Sequence, residues 1–183
     1  MSRTRAALDA VRRRRSYSRV TDAAPSDAEL AEYVSALSAI ADHSGLRPWR
    51  LIALRGDARD RLGDGLAQAA GGDAAKYRAK ARRAPLVLAI VVSPRKSGKV
   101  PIWEQEAVAS GVAHTLGLLL HEGGWGTIWR TGELTRKKSV RKALGVAKPE
   151  YLLGWLYVGG IPDRNKKPKP RKPLDLTRHL SAL

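Results

Sequence analysis

The apolar positions of this chain recur with different periods, and each period predicts an element. Ala7, Leu8 and Val11 share one face of a short amphipathic helix over residues 2–14. Ser26 and Glu29 have capping-box spacing just before Leu30, Val34 and Leu37, which predicts a helix from Asp27 to Ala41. The stretch DHSGLRP (42–48) cannot prolong it, since Gly45 and Pro48 break helices and a residue before proline is pushed to extended geometry. Trp49–Leu54 reads as a strand, GDARDRLGDGLAQAA (56–70) as a helix, and AAKYRAKARR (74–83) as a solvated basic helix. PLVLAIVVS (85–93) is apolar without alternation, the pattern of a strand buried on both faces.

After a polar loop, PRKSGKVP, the segment WEQEAVASGVAHTLGLLLHEGG (103–124) predicts the longest helix. Between Ala107 and Leu120 it has almost no polar face, so it belongs at the centre of the protein or of its oligomer. Glu104 and Glu106 open it, where negative charge suits the helix dipole and reads as capping. Gly123 and Gly124 end it. A short strand at 127–130, a turn at Thr131–Gly132, a basic helix over 137–144 and a core strand at 151–160 follow. Residues 163–183 are rich in Pro and Lys and read as an extended arm. There is no internal repeat. The residues indicate one α+β or α/β domain, with helices packed on a small sheet.

Charge changes this picture more than composition does. The chain of 183 residues carries 34 Lys+Arg against 17 Asp+Glu, a formal net charge of +17, so its partners are anionic. It has no cysteine, which removes disulfides, thiolate metal sites and a Cys nucleophile. No two of the four histidines have the short spacing of a metal motif. The basic start runs into SYSRVTDAAPSD and not into an apolar segment, so no secretory leader is expected and the location expected is cytoplasmic. The apolar part of the long helix, fourteen residues from Ala107 to Leu120, is short for a membrane span.

No nucleophile–base pair, HExxH, GxGxxG or Walker loop occurs. If the protein is an enzyme, a cofactor carries the demanding chemistry. Three stretches could hold an anionic ligand. RRRRSYSR (12–19) places Arg14, Arg15 and Ser16 at a helix end with Arg19 beyond, either a phosphate cup or a solvated basic helix terminus. KPKPRKPL (167–174) is a second basic stretch. GGWGTIWRTG (123–132) offers glycines that admit a flat ligand and tryptophans to border it.

Taken in order, RRSYSR, PSDAEL with its helix, DHSGLRPWR, the long helix with GGWGTIWRTG, and LLGWLYVGGIP resemble the nitroreductase family. The nearest likeness is to its small NAD(P)H nitroreductases, and it covers roughly residues 5–173. The resemblance implies an α+β fold with a small, mainly antiparallel sheet. It also implies a homodimer that binds two FMN molecules at its interface. The helix at about 104–121 would pack on its dimer mate, in keeping with the small residues Ala109, Ser110, Gly111 and Ala113.

Position by position, Arg14, Arg15 and Ser16 match the family's RxS element for the FMN phosphate and ribityl chain. The family's basic residue two places later is Ser18 here, with Arg19 following. His43 and Ala39 match positions that contact flavin from the other subunit. Arg47, before Pro48 and Trp49, replaces the usual glutamine and brings a positive charge to the ring's polar edge. Trp129, Arg130 and Thr131 match the segment along the flavin, with backbone N–H groups near Thr131 and Gly132 toward N5. Arg171, with Lys169 second, matches the C-terminal basic element that reaches the phosphate. The implied activity is ping-pong transfer of hydride from NADPH or NADH through flavin N5 to nitroaromatics or quinones. A flavin carrier of the same fold is the alternative, and a basic nucleic-acid-binding protein a more distant one.

Overall fold

The structure is a computed structural model and describes residues 5–163 and 170–182. Six helices and four strands occur among them: α1 (Ala6–Arg13), α2 (Asp27–Ala36), β1 (Trp49–Arg55), α3 (Ala58–Ala70), α4 (Ala74–Ala81), β2 (Leu86–Val92), α5 (Ile102–Glu122), β3 (Trp125–Arg130), α6 (Lys138–Ala143) and β4 (Tyr151–Gly160). The strands form one antiparallel sheet in the order β1-β2-β4-β3.

The unbroken apolar run of β2 is explained by two cores. Val87, Ala89 and Val91 face Leu62 and Leu66 of α3, Ala81 of α4 and Val140 of α6. Leu86, Leu88 and Ile90 face the other way, against Leu37 and against Val112, Leu116 and Leu120 of α5. Strand alternation thus produces three layers, helices, sheet, helices, and all seven residues of β2 are buried. The near layer is close-fitting because α3 carries glycines in mid-helix. A Cβ on Gly63 would lie 2.6 Å from Cα of Arg78, and one on Gly65 2.9 Å from Cα of Val140. Glycine there costs about 1 kcal/mol in helix propensity and allows helix backbones to touch.

Ser26 and Glu29 form the expected reciprocal capping box, with Ser26 N–H donating to Glu29 at 2.9 Å and Glu29 N–H to Ser26 Oγ at 3.2 Å. The helix stops at Ala36 and not at Ala41; a 3-10 turn, Leu37–Ala39, tightens the chain and brings Leu37 to 1 % exposure. The face expected to bury α1 is also different. Ala7, Leu8 and Val11 are exposed, and only Ala10 is buried, where α1 meets α5. Capping is not the work of the acids that open α5. Glu104 accepts from, or is ion-paired with, His43 Nδ1 at 2.8 Å, while Glu106 accepts from the Tyr151 hydroxyl at 2.7 Å and from Arg136 at 3.0 Å. Burial, with Glu106 adding to it, pushes the Tyr151 phenol up to about 12. Of the small residues expected to face a partner helix, Ala109 and Ala113 lie instead in the chain's own core; Ser110 and Gly111 are half-buried.

Arg50 on β1 grips Glu150 with two bonds, 2.8 and 2.7 Å, and Ser93 Oγ donates to the same carboxylate at 2.6 Å. Arg50 chiefly, helped by Ser93 and opposed by burial, holds this carboxyl below its ordinary 4.5. A depressed folded-state pKa gives stability that is present above about pH 4.5 and lost as pH falls through the lower folded value. Glu150→Gln is therefore expected to flatten the decline of stability in that acid window. Superimposable acid-unfolding profiles for the two proteins would remove Glu150 from the account.

The described C-terminal residues 170–182 are exposed, with one 3-10 turn at Leu176–Arg178, and they present Leu174, Leu176 and Leu180 to solvent. Among the described residues no helix is long and apolar enough to cross a membrane.

Candidate functional site

The arginine run is divided by the end of α1. Arg14 leaves the helix with extended backbone, and the chain then runs beside β3, where Ser16 pairs with Thr127 in a parallel bridge. Tyr17 N–H donates to the Thr127 carbonyl at 2.9 Å and Thr21 N–H to that of Gly160 at 2.9 Å. This short pairing turns Arg14 and Ser16 into a cavity of about 240 Å³, lined also by Ala113, His114 and Gly117 of α5, Thr127 and Trp129 of β3, and Leu156 of β4. Arg15 turns back on the helix end and donates to the carbonyls of Arg12 (3.2 Å) and Arg14 (3.3 Å). Arg12 and Arg13 are exposed. Arg19 is exposed and lines neither this cavity nor the one described next. Arg171 donates from Nη2 to the Arg14 carbonyl, which sets a second guanidinium at this end. Lys169 lies outside the described residues.

One wall of the cavity is aromatic. The His114 ring meets Trp129 edge-on, with centroids 5.0 Å apart and planes at 87°. The Trp129 indole N–H is buried without a partner among the described residues. Trp129 can lie against β4 only because residue 154 is glycine: at φ +154°, a Cβ there would be 2.7 Å from Trp129 Nε1 and 2.3 Å from the Arg130 carbonyl oxygen. His121 lies behind the arginines, its ring 6.1 Å from that of Tyr17. Burial depresses its pKa, opposed by a main-chain hydrogen bond at Arg13 and reinforced by the charges of Arg14, Arg13 and Arg15.

The remaining site candidates are not all gathered here. Alternation along β3 sends Arg130 to the opposite face from Trp129, and Arg130, Thr131 and Gly132 line a separate cavity of about 550 Å³ on the α3–α4 side. Ala39, His43 and Arg47 are exposed and do not reach the first cavity within the chain. His43 is held by Glu104, and the Arg47 N–H donates to Asp42 at 2.6 Å, with Arg47 itself at φ +46°. Sequence reasoning missed Ala113, His114, Gly117, Thr127 and Leu156. The first three share a helix face by their i, i+1, i+4 spacing, but nothing in the sequence says that this face meets the arginine run.

Residues 11–160 match the family model described as "Nitroreductase family". The chain belongs to the nitroreductase family. The matched segment begins one residue before the arginine run and ends with β4, so this nitroreductase carries Arg171 beyond it. The chain is 36 % identical over 160 residues to the Escherichia coli (strain K12) protein named "Putative NAD(P)H nitroreductase YdjA", covering 84 % of this chain and 87 % of that one. Solved structures share the fold, among them the following two. A nitroreductase-like family protein from Bacillus cereus has a TM-score of 0.82 at 20 % identity, covering 100 % of this chain and 98 % of the other. The FMN and NADPH-dependent nitroreductase NfnB from Sphigopyxis sp. strain HMH has a TM-score of 0.73 at 18 % identity, covering 97 % and 99 %.

Proposed function

We propose that this nitroreductase is an FMN-dependent oxidoreductase. It takes hydride from NADPH or NADH and reduces electron-poor acceptors such as nitroaromatics or quinones, as a homodimer with shared sites. The observation that carries the reading is the cavity in which Arg14 and Ser16 stand at one end and Trp129 forms the wall.

The residues present fit the cofactor. A guanidinium and a hydroxyl, with a second guanidinium anchored beside them, form a phosphate-binding set. The face of Trp129, edged by His114, suits a planar ring. At about 240 Å³ the cavity is below the roughly 300–1,000 Å³ of small-molecule sites, so one chain supplies only part of the enclosure. α5 presents Trp103 and Ala107 to solvent on the helix face that carries His114, and α1 presents Leu8 and Val11. Such uncovered apolar surface supports a second copy as the missing wall. In a dimer of this kind Ala39, His43 and Arg47 serve the site of the other chain.

When bound, FMN supplies the hydride-accepting and electron-donating chemistry that no set of side chains here provides. Arg14, Ser16 and Arg171 hold the phosphate end. Trp129 and His114 shield the ring from water. Thr131 and Gly132, expected to turn main-chain N–H groups toward N5, line the other cavity together with the Arg130 side chain. Arg47 brings positive charge to the edge where a reduced ring carries negative charge. Arg19, outside the cavity, adds only to the positive field of the chain. A cytoplasmic location belongs to the same reading, since the nicotinamide donor is a cytoplasmic reductant.

The purified protein should show a flavin band in the visible spectrum, and NADPH or NADH should bleach it. A colourless protein that FMN cannot reconstitute would refute the reading. A band that neither nucleotide bleaches would identify a flavin carrier instead.

A further inference from the structure

The larger cavity, across the sheet from Arg14, has its own chemistry. Its floor is Trp155 and Tyr157, two places apart on β4 and exposed by only 6 % and 4 %. Its volume of about 550 Å³ lies within the roughly 300–1,000 Å³ of small-molecule sites. Three cations converge on it: Lys80 of α4, Arg83 just after α4, and Arg130 at the end of β3. Lys80 Nζ lies 4.4 Å from the Tyr77 ring centroid, and Arg83 Cζ lies 5.2 Å from that of Tyr157.

The same helix shows that these cations are set apart. Arg78 is bound to Asp64 at 2.6 and 3.0 Å, and Arg82 to Asp60 and Asp57 at 2.6 to 2.9 Å. Lys80, Arg83 and Arg130 make no ion pair among the described residues. The one carboxylate lining the cavity is Glu133. In the floor, the Trp155 N–H is buried with no partner in hydrogen-bonding geometry. It nevertheless approaches the Tyr157 hydroxyl closely enough to offset part of the upward push that burial gives that phenol. Aromatic walls under surplus positive charge describe a site for a flat anionic ligand.

We propose that this cavity is a second ligand site, specific for an aromatic ring that carries a phosphate: a mononucleotide, or the equivalent half of a dinucleotide. The ring lies against Trp155, Tyr157 and Tyr77, and the phosphate meets Lys80, Arg83 and Arg130. The site is on the opposite face of the sheet from Arg14 and Ser16, so it stands independently of the flavin reading.

Calorimetric titration with 5′-AMP tests it, with and without added FMN. Saturable binding at one site per chain is expected, tighter than for adenosine or inorganic phosphate alone. Lys80→Ala with Arg83→Ala should weaken it by about tenfold or more, and Arg14→Ala with Ser16→Ala should leave it unchanged. Glu133→Gln, which only removes a nearby negative charge from an exposed position, should tighten it a few-fold. Binding that the Lys80 and Arg83 substitutions do not alter, or phosphate that binds as tightly as 5′-AMP, would overturn the proposal. Competition by NADPH in FMN-free protein would name the dinucleotide as the source of the ligand. Its failure to compete would name the free mononucleotide, and the site stands in either case.

Discussion

The Arg14→Ala, Ser16→Ala double variant is expected to leave purification colourless, folded and inactive. Both side chains line the cavity at the end of α1, and among the described residues neither has a side-chain hydrogen-bonding partner: the structural bonds of this stretch are main-chain ones, Ser16 with Thr127 and Tyr17 N–H with the Thr127 carbonyl. Hydrogen bonds to charged groups contribute about 1.5–3 kcal/mol each, and each 1.4 kcal/mol is about a factor of ten in affinity. Loss of two phosphate contacts should weaken FMN by roughly a hundredfold or more. The melting temperature of the FMN-free proteins should stay nearly equal, which separates loss of ligand from loss of fold. A yellow double variant that keeps its activity would rule out the assignment of this end of the cavity to phosphate.

The second large effect is expected far from that cavity, at Gln105. Its side chain is fully buried at the start of α5, where Oε1 accepts from Arg95 N–H at 2.8 Å and Nε2 donates to the carbonyls of Arg95 and Val100 at 3.0 Å each. One amide therefore satisfies three main-chain groups of the loop between β2 and α5. Gln105→Leu keeps the volume and removes every one of those bonds. An unsatisfied buried polar group costs about 1–3 kcal/mol, so a loss near 3 kcal/mol overall follows. In a chain of this length that lowers the melting temperature by about 6–12 °C. An unchanged melting temperature would show that the loop is held by other means. The variant should also disturb the flanking Glu104–His43 and Glu106–Tyr151 contacts, because all three side chains leave the same turn of α5.

How much of this was legible in the sequence differs from element to element. The strand at 151–160 and the capping box at Ser26 and Glu29 depend on neighbours in the chain, and the structure places them as read. The apolar run at 86–92 announced two-sided burial, since only a central strand tolerates apolar side chains on both faces. The reading failed where a choice between faces depended on distant partners. α1 turned Ala10 and not Leu8 or Val11 inward, because α5 is what it packs on. α2 gave way to a 3-10 turn that buries Leu37 against β2 and α5, partners distant in the chain.

The candidate site divides in the same way. The sequence by itself determined the chemistry available: a surplus of arginine and no thiol. Those follow from composition, which does not depend on the fold. Only the tertiary structure decided which arginines act together. Beyond the end of α1, Arg14 lines the cavity while Arg15 turns back on the helix end, and a strand's two-residue period sends Trp129 to one cavity and Arg130 to another. A contact 157 residues apart in the chain brings Arg171 to Arg14. Convergence of this kind is set by helix ends, strand faces and chain closure acting together, and no local stretch of sequence encodes it.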